Sequence, residues 1–167
     1  MSSGFISKAA FTVAALACFY LPQLSAPASA QWASPQPASA FTIPTSQIIH
    51  PADLNRLLQT HDAEKPLILQ VGSRMMFAQA HIPGSEYAGP GSEAEGLEQL
   101  RARVSSLARS RFIVIYCGCC PWNHCPNVGP AYNVLHEMGF TRVKVLFLAD
   151  NFGADWVSKG FPVQSGQ

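Results

Sequence analysis

Three short apolar runs, Leu67-Ile-Leu-Gln-Val71, Phe112-Ile-Val-Ile-Tyr116 and Val143-Lys-Val-Leu-Phe-Leu148, alternate with stretches of helical periodicity. No other feature constrains the fold as much. Each run is bounded by turn or breaker residues, such as Pro66 and Gly72 around the first, which suits a strand buried on both faces. Gln47-Ile-Ile49 adds a shorter strand candidate. Between the runs, Pro51 fits the first turn of a helix with Asp53 near its start and Leu54, Leu57 and Leu58 on one face. A short helix is expected from Arg74 to Ala80, with Met75, Met76 and Phe77 as core residues. Leu97, Leu100, Val104 and Leu107 recur at three- and four-residue steps, so Leu97 to Leu107 reads as an amphipathic helix. Asn127 to Met138 reads as another, with Val128, Ala131, Val134, Leu135 and Met138 on one side and Gly139 closing it. A last short helix is expected from Asn151 to Lys159, with Trp156 packed under the final strand. Such alternation predicts an α/β fold: one domain, a central mainly parallel sheet and helices on both faces. Ligands of such folds bind beyond the carboxyl ends of the strands.

Four of the five cysteines lie at one such end, in Cys117-Gly-Cys119-Cys120-Pro-Trp-Asn-His-Cys125 directly after Tyr116. A thiol between a buried strand and a following helix meets backbone N–H groups and a positive helix end, both of which favour the thiolate. The spacing leaves three chemistries open: nucleophile, disulfide partner and metal ligand.

The amino-terminal segment bears on that choice. Lys8, the apolar stretch Ala9 to Leu21 and the small-residue pattern Ala26-Pro-Ala-Ser-Ala30 read as a signal peptide over residues 1–30, cleaved near Ala30. The apolar stretch falls short of the roughly 20 residues that span a bilayer. The expected location is periplasmic or secreted, where disulfides persist, and no membrane span is expected in the mature chain. Residues 31–45, rich in Ala, Ser and Pro, read as a flexible segment, and residues 46–167 as the folded domain. Lys8 is the only charged residue in 1–30, so its loss takes the formal charge from +1 to zero; neither nucleic acid nor an anionic membrane surface is an expected partner.

The order of features resembles the rhodanese family of sulfurtransferases over about residues 46–164. Pro51-Ala-Asp-Leu54 is similar to that family's opening helix, and Leu67 to Val71 to its Asp-Val-Arg strand. Ala80-His-Ile-Pro-Gly-Ser85 resembles Gly-His-Ile-Pro-Gly-Ala, and Ile113-Val-Ile-Tyr-Cys117 the strand that delivers the active-site cysteine. Gly139-Phe140, Val143-Lys-Val145, Trp156, Gly160 and Pro162-Val163 resemble the closing pattern. The resemblance implies a persulfide carried on Cys117 as catalytic nucleophile, a small sulfur donor, a thiol or cyanide-like acceptor, no cofactor and no resident metal. It also implies an active-site loop of Gly118, Cys119, Cys120, Pro121, Trp122, Asn123, His124, Cys125, Pro126 and Asn127.

The departures from the pattern are chemical. The loop is about five residues longer than usual, and Asn127 stands where the family often has Arg. Gln70 and Gly72 replace the Asp and Arg of Asp-Val-Arg. Without a loop cation, a dianion such as thiosulfate must be held by amides and dipoles, and phosphoryl chemistry loses the bidentate group it needs. Two alternatives to sulfur transfer follow from the cysteines themselves. One is thiol–disulfide exchange through Cys117 and Cys120, a Cys-x-x-Cys, with a redox partner protein. The other is a non-catalytic soft-metal-binding or sensing module using the thiols, with His124 as a borderline ligand. A Cys120–Cys125 disulfide stapling the loop is a further possibility. Trp122 is expected to cap the loop, and His81 to be a structural hydrogen-bonding residue.

Overall fold

A computed structural model describes residues 43–61 and 64–166, all within the unit Pro37–Gln167. The predicted signal peptide and most of the 31–45 segment lie outside the described residues. Five strands are present: β1 (Ile48–Ile49), β2 (Leu67–Gln70), β3 (Glu86–Tyr87), β4 (Ile113–Tyr116) and β5 (Val143–Leu146). They form one sheet in the order β1-β5-β4-β2-β3, and every pair is parallel. The helices are α1 (Pro51–Gln59), α2 (Arg74–Gln79), α3 (Ala94–Val104), α4 (Val128–Glu137) and α5 (Phe152–Asp155).

The predicted architecture holds, and so do the three apolar runs as its central strands. β4 lies between β5 and β2 and is buried along its whole length. Because side chains alternate across a strand, Ile113, Ile115 and Cys117 join the core on one face, with Leu100, Ala131 and Leu135. Val114 and Tyr116 join the core on the other, with Leu54, Phe152 and Trp156. Cys117 thus continues the α4-covered face of β4, one residue beyond its last paired position. Leu135 is fully buried there, and truncating such a leucine to alanine costs about 2–5 kcal/mol.

Several boundaries move. Ile43 is buried in the core and Thr45–Gln47 form a 3₁₀ turn, so packing begins ahead of the expected start at residue 46. α3 begins a turn earlier than its leucine pattern predicts and ends at Val104, while Leu107 still packs on the core. The last helix divides into α5 and a 3₁₀ turn, Val157–Lys159, with the Asn151 side chain accepting from Ala154 N–H at 2.9 Å. β3 has only two residues and no apolar run, which is why its sequence carries no strand signal; its register against β2 pairs Leu69 with Glu86 and Gln70 with Tyr87. Met75 is not a core residue: it is 68% exposed, because α2 turns only Phe77 fully inward.

The His-Ile-Pro-Gly segment is structural, as expected. His81 Nδ1 lies 2.7 Å from the Phe77 carbonyl, and the His81 backbone exchanges hydrogen bonds with Gln164 at 2.8 and 2.9 Å. The phenol of Tyr116 receives the Ile82 N–H at 3.3 Å and lies 3.3 Å from Ser85 Oγ, tying this turn to the strand that ends at the cysteines.

Candidate active site

Cys117 follows β4 directly and is 4% exposed. Gly118 then adopts φ +84°, a left-handed conformation that glycine takes without penalty, and its carbonyl receives the Phe152 N–H at 3.1 Å. That reversal folds Cys119 back onto its neighbour: the two Sγ atoms are 2.9 Å apart. Cys119 Sγ is in turn 3.3 Å from Cys120 Sγ, and the three sulfurs lie within 4.8 Å of one another. All four described cysteines are free thiols, so the possible Cys120–Cys125 staple is not formed here. Of Cys119 and Cys120, it is Cys119 and not the Cys120 of the Cys-x-x-Cys reading that is in hydrogen-bond contact with Cys117, because the chain reverses at Gly118.

The extra loop residues have a defined course. Trp122 donates its backbone N–H to Ala149 O at 3.1 Å, and its ring lies 5.0 Å from that of Phe147, which makes it the expected cap. Trp122–His124 form a 3₁₀ turn after Pro121. Pro121, Asn123, His124 and Pro126 are exposed, and among the described residues no hydrogen bond joins the His124 ring to a thiol. The return of the chain brings Cys125 to Cys117 and to the start of α4, where its sulfur accepts backbone N–H groups of Asn127 and Val128.

That placement decides where the negative charge rests. The hydrogen bond from Cys117, assisted by the two helix-start N–H groups, holds Cys125 down to about 6, against about 8.5 for an ordinary thiol. The same bond, together with burial, pushes Cys117 upward. Burial, foremost, pushes Cys120 up to about 12. Of the two thiols, Cys125 is thus the more readily deprotonated, a bias that residue spacing alone does not reveal.

Asn127 supplies the remaining polar contact. At the N-cap of α4 its side-chain oxygen would ordinarily accept from the helix. Here Oδ1 accepts the Ser92 N–H at 2.9 Å, which leaves Nδ2 to donate to Cys117 Sγ at 3.2 Å. Gln70, 2% exposed, donates to the Cys117 carbonyl at 2.9 Å and accepts the Gly72 N–H at 3.2 Å. The two family departures therefore have work to do: Gln70 ties β2 to the active-site loop without a charge. At Gly72 a Cβ would fall 2.8 Å from Cys117 O and 2.9 Å from Cys117 Sγ.

Two cavities flank the cysteines. One, of about 480 Å³, is polar and lined by Cys119, Asn127, Gly72, Arg74, Glu93 and Glu95, among others. The other, of about 200 Å³, is lined by Cys117, Gln70, Tyr116, Gly118 and Phe152, among others. Arg74, with its guanidinium 4.2 Å from the Tyr87 ring centre, is a cation the loop itself lacks, and sequence reasoning missed it because it comes from α2, two residues past Gly72. Glu93 and Glu95 outnumber it in the same cavity.

No protein-family model matches the chain, and no curated protein matches it. Among solved structures it is similar to the rhodanese-like domain of an Anabaena protein, at 26% identity and a TM-score of 0.53, over 71% of this chain and 79% of that one. A crystal structure of the same Anabaena protein gives 26% identity and 0.51 over 70% and 82%. A Bacillus halodurans protein, at 22% identity, gives 0.56 over 72% and 77%. The fold is therefore that of the rhodanese-like domains, and its cysteine cluster lies at the carboxyl end of the central strand, the position that supports cysteine-based chemistry of the sulfur-transfer kind.

Proposed function

We propose that this chain is an exported sulfurtransferase that accepts a sulfane sulfur on Cys117 as a persulfide and passes it to a thiophilic acceptor, a thiol or a cyanide-like anion. The observation that carries the reading is the placement of Cys117 directly after β4, with Asn127 Nδ2 donating to its Sγ at 3.2 Å. A thiol must be deprotonated to attack sulfur, and the Asn127 amide donor favours the charged form of Cys117. As Cys117 Sγ bonds to the outer sulfur of the donor, the donor's sulfur–sulfur bond breaks and the leaving group departs with the electron pair. The Asn127 Nδ2 donor stabilises the negative sulfur during the transfer.

Net negative charge in the larger cavity favours donors of lower charge, such as organic persulfides or thiosulfonates, over the thiosulfate dianion. Cleavage near Ala30 and a periplasmic or secreted location belong to the same proposal, supported by the leader-like residues 1–30. Mass spectrometry after brief exposure to an organic thiosulfonate and immediate alkylation tests the chemistry: a transient gain of one sulfur is expected on the Cys117 peptide of the wild type, and none on the corresponding peptide in Cys117→Ser. Full sulfur transfer by Cys117→Ser would remove the proposal.

A second reading, soft-metal binding, is favoured by the three sulfurs within 4.8 Å. Ligands ~2.3 Å from a tetrahedral zinc stand ~3.8 Å apart, so the 2.9 Å Cys117–Cys119 contact must open to admit the ion. Stoichiometric zinc or copper in the purified protein would support it.

A further inference from the structure

We infer that Cys119 is a second catalytic thiol, which displaces the sulfur from Cys117 as sulfide and leaves a Cys117–Cys119 disulfide for a dithiol reductant to reopen. The inference rests on the Cys117 persulfide of the proposed function and extends it from sulfur transfer to sulfane-sulfur reduction.

The first support is contact. The Cys117 and Cys119 sulfurs are 2.9 Å apart, less than an ångström beyond the ~2.05 Å of a disulfide bond. No side chain stands between them, and Asn127 Nδ2 reaches both, at 3.2 and 3.8 Å, so one donor serves either thiolate. The second support is the arrangement of the cavities. Cys117 lines the smaller cavity and Cys119 does not; Cys119 lines the larger one and Cys117 does not. Displacement at sulfur requires the incoming and leaving sulfurs on opposite sides of the sulfur attacked. A sulfane sulfur carried by Cys117 into the smaller cavity has Cys119 behind it, where an attack on Cys117 Sγ must start. The third support is burial. An external thiol has to reach a sulfur that is 4% exposed, whereas Cys119 is already in contact with it.

The step balances. Cys117–S–SH and Cys119–SH give the Cys117–Cys119 disulfide and H₂S: the bond between the two Sγ atoms forms, the bond from Cys117 Sγ to the outer sulfur breaks, and the electron pair and the Cys119 proton leave with that sulfur. The sulfane sulfur is reduced and the two thiols are oxidised. A dithiol then reduces the disulfide and is itself oxidised, which gives the redox partner expected for an exported chain a defined substrate.

The test is a single turnover of the full chain with one equivalent of an organic thiosulfonate, whose leaving group is a sulfinate and not sulfide, and no added reductant, in wild type and in Cys119→Ser. In the wild type, one sulfide per chain is expected, with the loss of two free thiols and a peptide-mapped Cys117–Cys119 disulfide that dithiothreitol reopens. Cys119→Ser should retain the sulfur on Cys117 and release sulfide only when thiol is added. Sulfide release from Cys119→Ser at the wild-type rate, or a wild-type persulfide that persists with no disulfide, overturns the inference while leaving the Cys117 persulfide standing. Disulfide mapping in the wild type decides the matter even if the variant folds poorly. Absence of sulfur uptake in both proteins overturns both readings.

Discussion

The side-chain amide of Gln70 donates to the carbonyl oxygen of Cys117 at 2.9 Å while its own oxygen accepts the N–H of Gly72 at 3.2 Å. One neutral, buried side chain thus joins the carboxyl ends of β2 and β4 where the reactive sulfur begins. An ion pair at such a position would have to overcome a desolvation penalty that an amide avoids.

Gln70→Leu is therefore expected to destabilise the fold by about 1–3 kcal/mol, because it strands two buried backbone groups. Sulfur uptake should fall with it, since Cys117 loses the anchor of its carbonyl. Denaturant unfolding alongside single-turnover uptake measures both. A variant as stable as wild type would mean that water or a backbone shift replaces the amide.

Gly72 tests the same corner sterically. Its positive contribution is absence: an added Cβ meets backbone oxygen and reactive sulfur under 3.0 Å. Gly72→Ala is expected to slow Cys117 alkylation and sulfur uptake by an order of magnitude or more, with a smaller loss of stability, about 1–3 kcal/mol. Unchanged uptake kinetics would show that the cysteine loop moves freely away from β2.

The larger cavity sets donor preference through Arg74 against Glu93 and Glu95. All three are exposed, so their fields are screened by water and salt. Replacing both glutamates by glutamine is expected to raise kcat/KM for thiosulfate severalfold at low ionic strength, roughly the effect of two charges on a dianion across several ångströms of water. The gain should vanish in high salt and be absent for an uncharged organic trisulfide donor. Equal gains for both donors would point to reshaping of the cavity instead of its charge.

How much of this is legible in the sequence depends on the range of the interaction. β4 is a continuous run of apolar and aromatic residues, and β2 and β5 are apolar but for Gln70 and Lys144, so their burial follows from composition, and the cysteines are placed by their distance from β4. β3 is held by pairing of Glu86 and Tyr87 with a neighbour, a tertiary fact with no local signature. Met75 looks apolar and lies outside, because the orientation of the short α2 is set by Phe77. Arg74 reaches the site from a separate element. Above all, the choice of Cys119 over Cys120 as the neighbour of Cys117 depends on one positive φ at Gly118, and the thiolate at Cys125 on how the enlarged loop returns to α4; Cys-x-Cys-Cys spacing specifies neither.

The return of that loop predicts the pH dependence. Cys117, pushed up by the hydrogen bond to Cys125 and by burial, must itself become a thiolate to attack sulfur. Sulfur uptake should therefore still be rising, about tenfold per pH step, at and above the ordinary thiol value of about 8.5. In Cys125→Ser, which removes the neighbouring thiolate, the midpoint should move down toward that value. Stability responds to the same shifts. A thiol whose folded value is lowered contributes stability that is complete above the unfolded value and lost as pH falls through about 6. Cys117 and Cys120, both raised, act oppositely: the folded state keeps protons that the unfolded chain releases above about 8.5, so stability falls again in alkali. Thermal melts across pH 5 to 10 should thus peak between those limits in the wild type, and the acidic arm should flatten in Cys125→Ser. A wild-type uptake profile that levels off near 6 would instead place the lowered thiol at Cys117 and not at Cys125.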